Sequence, residues 1–134
     1  MTKQMILLGL LCLAAGCGYV AGDPGEWRQK CRHTYTMDVD GRPQEVHRAL
    51  ATAMHSYGWG SDDVVVDQFY EDTNTGSVWV YEDDPRDTVG FMLDVGRGTD
   101  NRVRITVYPV SDWYARKSRE WLTKTLNLPT KEGT

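Results

Sequence analysis

Two groups of acidic side chains are spaced so that they could bind a divalent cation. Asp62 and Asp63 precede a β-prone segment, and Asp83, Asp84 and Asp87 follow the next one. If the two segments pair as a hairpin, both acidic groups lie at the same end of it. Carboxylate oxygens are the hard ligands that Ca²⁺ prefers, so this end is a candidate calcium site. The same carboxylates could instead form a solvated rim that protects the strand edges, and both interpretations stay open.

The histidines do not predict a catalytic centre. His47 and His55 are eight positions apart on one predicted helix, about 12 Å along its axis, which is too far for one metal ion. His55, Ser56 and the nearby aspartates include the residue types of a hydrolytic triad, but no motif positions a nucleophile or an oxyanion hole. We therefore expect a non-enzymatic protein that needs no cofactor.

The first seventeen residues have the layout of an export signal. Lys3 precedes an uncharged apolar run from Met5 to Ala15, which is shorter than the ~20 residues of a transmembrane helix. The run leads into Ala14-Ala15-Gly16-Cys17, which resembles the lipobox of bacterial lipoproteins. The resemblance implies cleavage before Cys17, a diacylglycerol on its sulfur and an acyl chain on its new amino group. An ordinary secreted protein with a coincidental cysteine is the alternative.

Composition agrees with export and with a single domain. Removing residues 1–16 leaves 118 of the 134 residues, enough for one hydrophobic core. It also removes Lys3, so the formal net charge changes from −4 to −5. This charge argues against nucleic acid and against a basic membrane-binding patch, and the acyl chains would attach the protein to the membrane instead. Cys31 becomes a lone thiol, either free or in an intermolecular disulfide.

The domain boundaries follow from the distribution of apolar residues. Residues 17–33 lack an apolar period, so we predict that the lipidated cysteine is followed by a flexible tether of up to ~50 Å. Trp27 in this segment could dock back onto the domain. Residues 34–128 form the predicted α+β domain, and residues 129–134 form a disordered tail.

The predicted element order is β-α-β-β-β-β-α. The first helix has one apolar stripe from Val46 to Tyr57 and ends at Gly58, and Ser111 and Asp112 can cap a second helix. The predicted strands are Thr34–Val39, Val64–Glu71, Ser77–Glu82, Thr88–Val95 and Arg102–Tyr108. Four consecutive strands with short turns are antiparallel neighbours. We therefore expect one antiparallel sheet of four to five strands, with both helices on one face.

A second resemblance covers most of this domain. It is carried by Arg42-Pro43-Gln44-Glu45-Val46, Leu50, Ala53, Tyr57-Gly58-Trp59 and a hairpin containing Thr75-Gly76. This pattern is similar to small helix-grip domains of bacterial envelope lipoproteins, including a repeated domain in a lipoprotein subunit of the outer-membrane protein assembly machine. Members of these families are mostly accessory or scaffolding proteins, and the resemblance implies the same role without an active site.

Aromatic residues mark a candidate partner-binding surface. Trp79 and Tyr81 share one face of their strand, and Val78 and Val80 share the other. If the valines face the helices, the two rings lie with Tyr108 on an open sheet face and would bind a partner. The opposite facing would place them in the core.

We therefore predict an accessory lipoprotein that binds another envelope protein through its sheet face or an edge strand. The alternatives are a periplasmic ligand-binding or inhibitor module with a groove between helix and sheet, and a metal-dependent hydrolase built on the acidic loops. Gly18, rather than aspartate, follows Cys17. By resemblance to the sorting of Gram-negative lipoproteins, this implies the periplasmic face of the outer membrane. In a Gram-positive host the anchor would lie in the outer leaflet of the single membrane.

Overall fold

The computed structural model describes residues 24–56, 64–82 and 88–128. Its helices are α1 (Pro24–Lys30), α2 (Pro43–Ser56) and α3 (Asp112–Thr125), and its strands are β1 (Tyr35–Val39), β2 (Val64–Tyr70), β3 (Thr75–Glu82), β4 (Thr88–Arg97) and β5 (Val103–Tyr108). The strands form one antiparallel sheet in the order β1-β5-β4-β3-β2. This confirms the predicted α+β class and the order β-α-β-β-β-β-α after α1. Within the described ranges, no helix is both long and apolar enough to cross a membrane.

The main core lies between the sheet and the helices α2 and α3. Helix α2 begins at Pro43, which suits the first helical position, and its stripe buries Val46, Leu50 and Met54. In α3 the Ser111 side chain accepts a hydrogen bond from the Tyr114 backbone N–H at 3.2 Å, as predicted for a cap. Both helices cover the same face of the sheet, here called the helix face, as expected.

The strands present alternate residues to this core. Val103, Ile105 and Val107 of β5 are fully buried, and the residues between them are half-buried. On β3 the side chains of Val78 and Val80 belong to the same cluster. Trp79 therefore points to the opposite side of the sheet, here called the second face.

Helix α1 packs on the second face. Trp27 is 0% exposed and forms a cluster with Trp79, Met92 and Val110. The prediction of a flexible tether is therefore wrong for Pro24–Lys30, whereas the docking of Trp27 is confirmed. The sequence does not predict this helix, because seven residues of which one is buried produce no apolar period.

The hairpin between β2 and β3 differs slightly from expectation. The turn covers residues 71–74, with Asn74 at φ 60, and Gly76 lies inside β3 rather than in the turn. A Cβ atom at Gly76 would lie 2.7 Å from the side chains of both His47 and Phe69. A residue without a side chain is therefore needed where α2 and β2 approach β3 so closely.

We predict that Trp27→Ala lowers the free energy of unfolding by ~3–5 kcal/mol, because the lost ring leaves a cavity between α1 and the sheet. Urea unfolding followed by circular dichroism measures this change. The control is Trp113→Ala, since Trp113 is 52% exposed and its loss should change stability by only ~0.5 kcal/mol. Equal losses in the two variants would show that α1 is not part of the folded unit.

Candidate functional site

Several of the predicted site residues lie outside the described residues. These are the lipidation site Cys17 and the candidate cation ligands Asp62, Asp63, Asp83, Asp84 and Asp87. Both sites stay predictions. Among the residues that are described, no group of three or more His, Cys, Asp or Glu is placed to hold a metal ion.

A polar network centred on Asp94 of β4 lies on the second face next to α1. One carboxylate oxygen accepts hydrogen bonds from Arg28 Nη2 at 3.0 Å and Ser77 Oγ at 2.7 Å. The other accepts from Arg28 Nε at 2.8 Å and the Tyr108 hydroxyl at 3.0 Å. A carboxylate has about four acceptor positions, so these donors leave Asp94 little capacity to act as a general base. The network fastens α1 to the sheet.

Tyr108 is committed to this network. Burial, with the negative charge of Asp94 next to it, raises the pKa of Tyr108 well above its ordinary value. The hydroxyl therefore stays protonated and donates to Asp94. Because the pKa is raised in the fold, this contribution to stability is complete below the ordinary tyrosine pKa of ~10 and declines as the pH rises above it. The Tyr108 backbone carbonyl also accepts a hydrogen bond from the Trp27 indole at 3.1 Å.

Trp79, Tyr81 and Tyr108 lie on the second face. The sequence analysis predicted that this face would be open, but α1 covers these residues. Trp79 is only 7% exposed, and its ring meets Tyr81 edge-on with the centroids 6.3 Å apart. Within the described structure, the buried Trp79 indole N–H has no hydrogen-bond acceptor. The physical reason for the discrepancy is α1, which covers the residues that would have formed the patch. Contact with a partner through Trp79 would require α1 to leave the sheet.

The two edges of the sheet differ in their protection. The β1 edge has five residues, and its Asp38 is held by Arg104 with hydrogen bonds of 2.9 and 3.1 Å. The Arg119 guanidinium also lies 3.9 Å from the centre of the Tyr35 ring. Shortness and charge of this kind protect a strand edge from further pairing.

The β2 edge is longer and more exposed, although it also has one aspartate. Its seven residues pair with β3 along their whole length, and no described strand lies on the other side. Val64 is 39% and Tyr70 51% exposed, so two of the three exposed large hydrophobic residues of the described structure lie on this strand. Asp67 is its single charged residue and accepts a hydrogen bond from His55 at 2.7 Å. An edge of this kind is a template for an additional strand.

A groove along α3 is a second concave surface. It encloses about 1040 Å³, and its walls include Met54, Phe91 and Trp121, with Lys117 and Lys124 from α3. Phe91 and Trp121 meet edge-on with ring centroids 6.3 Å apart. This groove is compatible with the alternative of a ligand-binding module, which stays a hypothesis.

We predict that Arg28 and Asp94 are energetically coupled by about 1–2 kcal/mol in a double-mutant cycle with alanine, because their hydrogen bonds are charge-assisted and partly buried. Urea unfolding of the wild type, the single variants and the double variant measures the coupling. Arg102 and Asp40 form the control pair, since their contact of 3.2 Å involves a carboxylate that is 94% exposed. Their coupling should be close to zero. If the coupling energy of Arg28 and Asp94 were no larger than that of Arg102 and Asp40, the network would not hold α1 on the sheet.

Comparison of the chain with protein-family models, with curated proteins and with solved structures found no match. The resemblances to a lipobox and to helix-grip domains therefore rest on the residues quoted above. Among the described residues, the β2 edge is the longer of the two sheet edges and exposes Val64 and Tyr70.

Proposed function

We propose that this chain is a non-enzymatic, lipid-anchored accessory protein of the cell envelope that holds another envelope protein at its β2 edge. The partner would contribute a strand that extends the sheet beyond β2. The observation that carries the proposal is this open edge of seven residues with Val64 and Tyr70 exposed. The export signal and Cys17 support the location.

The backbone of β2 supplies the attraction. A strand at the edge of a sheet leaves alternate N–H and C=O groups without partners in the sheet. Each backbone hydrogen bond to an added strand contributes roughly 0.5–1.5 kcal/mol after exchange with water. Side chains of the partner would also cover Val64 and Tyr70. Strand addition is an established mode of peptide recognition that uses both of these contributions.

Side-chain contacts connect the edge strand to α2 without any partner bound. Phe69 of β2 packs against the His47 ring with the centroids 5.3 Å apart, and His47 Nε2 lies 3.2 Å from the Ser77 carbonyl. The hydrogen bond between His55 and Asp67 adds a second connection from α2 to β2. A strand that is already ordered loses little conformational entropy on binding, and this favours affinity.

The docking of α1 brings the domain close to the proposed anchor. If Cys17 is acylated, seven residue steps separate it from Pro24, the first residue of α1. This distance is at most ~23 Å in an extended chain. The domain would therefore stay next to the bilayer, at the periplasmic face of the outer membrane in a Gram-negative host. A partner would have to present its strand within that reach.

The proposed non-enzymatic role is supported by the way the polar residues of the second face are used. Asp94 has its acceptor positions occupied, and Asp38 is bound by Arg104. Both carboxylates therefore serve to connect secondary-structure elements.

We predict that the mature protein lacks residues 1–16 and carries acyl chains on Cys17. Mass spectrometry of the N-terminal peptide from purified envelopes measures both. Cys17→Ser should abolish processing and acylation, because the sulfur is the acceptor of the lipid. Cys12→Ser is the control and should be processed normally, since Cys12 lies in the segment that is removed. An unmodified Cys17 in the mature protein would exclude the anchor.

We predict that a photo-crosslinking residue in place of Tyr70 forms a discrete adduct with an envelope protein, whereas the same residue in place of the equally exposed Trp113 does not. Adding Val64→Lys should reduce the Tyr70 adduct about tenfold, because an edge lysine opposes strand addition. Thr36→Lys on the β1 edge is the control and should leave the adduct unchanged. Adducts of equal yield from Tyr70 and Trp113, or insensitivity to Val64→Lys, would contradict binding at the β2 edge.

A further inference from the structure

We infer that the strand accepted by β2 is basic: an extended segment with a lysine or arginine beside Asp67 and apolar residues beside Val64 and Tyr70. This inference rests on the proposed function, because it assigns the chemistry of the partner at the same edge.

The charge along the edge is negative throughout the described part. Residues 64–72 contain three acidic residues, Asp67, Glu71 and Asp72, and no lysine or arginine. Glu71 and Asp72 are exposed and follow β2 directly in the turn. The depression that includes Tyr70 is lined by Arg28, Arg97 and Arg104, of which Arg28 is paired with Asp94 and Arg104 with Asp38. An approaching basic strand is therefore attracted along this edge, whereas an acidic one is repelled.

Asp67 lies in the middle of the strand and is accessible. Its side chain is 39% exposed, and the hydrogen bond from His55 uses only one of its two oxygens, Oδ2. The carboxylate thus keeps acceptor capacity for a cation on a neighbouring strand. Opposite charges on adjacent strands stabilise the pairing, and like charges directly opposite each other destabilise it.

The same residue argues against a second copy of this chain as the occupant. In an antiparallel pair of two β2 strands that overlap over all seven residues, the central Asp67 would face Asp67 of the other copy. This like-charge contact opposes self-pairing, in the way that charged residues on natural edge strands do. A basic strand from another protein meets no such repulsion.

The experiment is a titration of the full-length protein in detergent, followed by fluorescence anisotropy of synthetic peptides as long as β2. The probe peptide alternates valine and threonine, with valine at both ends and lysine at its centre. A second peptide has glutamate in place of the lysine. A third keeps the lysine but has N-methylated backbone amides at alternate positions, which prevents strand pairing. Circular dichroism confirms that each protein variant is folded.

The lysine peptide should bind at least about tenfold more tightly than the glutamate peptide, and the N-methylated peptide should not bind. Asp67→Lys should weaken binding of the lysine peptide and strengthen binding of the glutamate peptide. Glu120→Lys makes the same charge change on the exposed surface of α3 and should leave both affinities unchanged. Asp67→Val should increase self-association in analytical ultracentrifugation, because it removes the repulsion between copies.

The opposing outcomes separate the inference from the proposed function. Equal binding of the lysine and glutamate peptides would overturn the basic preference while leaving strand addition intact. Binding of the N-methylated peptide as tightly as the unmodified one would overturn strand addition itself. Absence of binding by the lysine peptide, or an equal effect of Glu120→Lys and Asp67→Lys, would also overturn the assignment of Asp67.

Discussion

The docking of α1 on the second face of the sheet is the contact that determines which surfaces of this protein remain available. A sheet with apolar residues on both faces needs a cover on both faces. The helices α2 and α3 cover one, and α1 covers the aromatic part of the other through Trp27 and the Arg28–Asp94 hydrogen bonds. Because the inner strands pair with neighbours on both sides, the edges are the parts of the sheet at which main-chain groups lack a partner in the sheet. The β1 edge is short and lies against Arg104 and Arg119, whereas the longer β2 edge exposes Val64 and Tyr70.

Much of the fold could be predicted because most of its helices and strands bury one face against the core, which produces a regular spacing of apolar residues. The apolar stripe of α2, the alternation along β5 and the Ser111 cap all lie where the sequence pattern places them. The β3 strand was ambiguous for a physical reason. Its Val78-Trp79-Val80-Tyr81 run is apolar on both faces because both faces are covered, so alternation alone does not distinguish the two sides. Helix α1 was missed because its contribution comes from one tryptophan and one arginine, which leave no periodic signal.

The candidate site was harder to predict because an edge is a property of topology. A run of four consecutive antiparallel strands has two ends, β2 and β5, and the sequence does not indicate which end is joined by β1. In the structure β1 pairs with β5, and β2 is left at the edge. Three consecutive valines begin β2, at positions 64–66, so the sequence does not indicate which face of the strand is buried. Trp79, Tyr81 and Tyr108 were the more conspicuous candidates. Large aromatic side chains suggest an interface when only the sequence is considered. In the structure these side chains pack beneath α1.

Recognition through an edge strand uses main-chain groups that every protein possesses, so affinity and selectivity must have different sources. In the proposed arrangement, backbone pairing supplies attraction to any extended segment, and Asp67 with the acidic turn after β2 selects a basic one. The affinity need not be high. An anchor at Cys17 would confine the domain to within ~23 Å of the bilayer, and two proteins held at one membrane at such distances meet at effective concentrations in the millimolar range. A longer tether would dilute the domain over a larger volume and weaken the same contact. The docking of α1 thus connects the two parts of the proposed function, because it covers the aromatic residues of the second face and would at the same time shorten the reach of an anchor at Cys17.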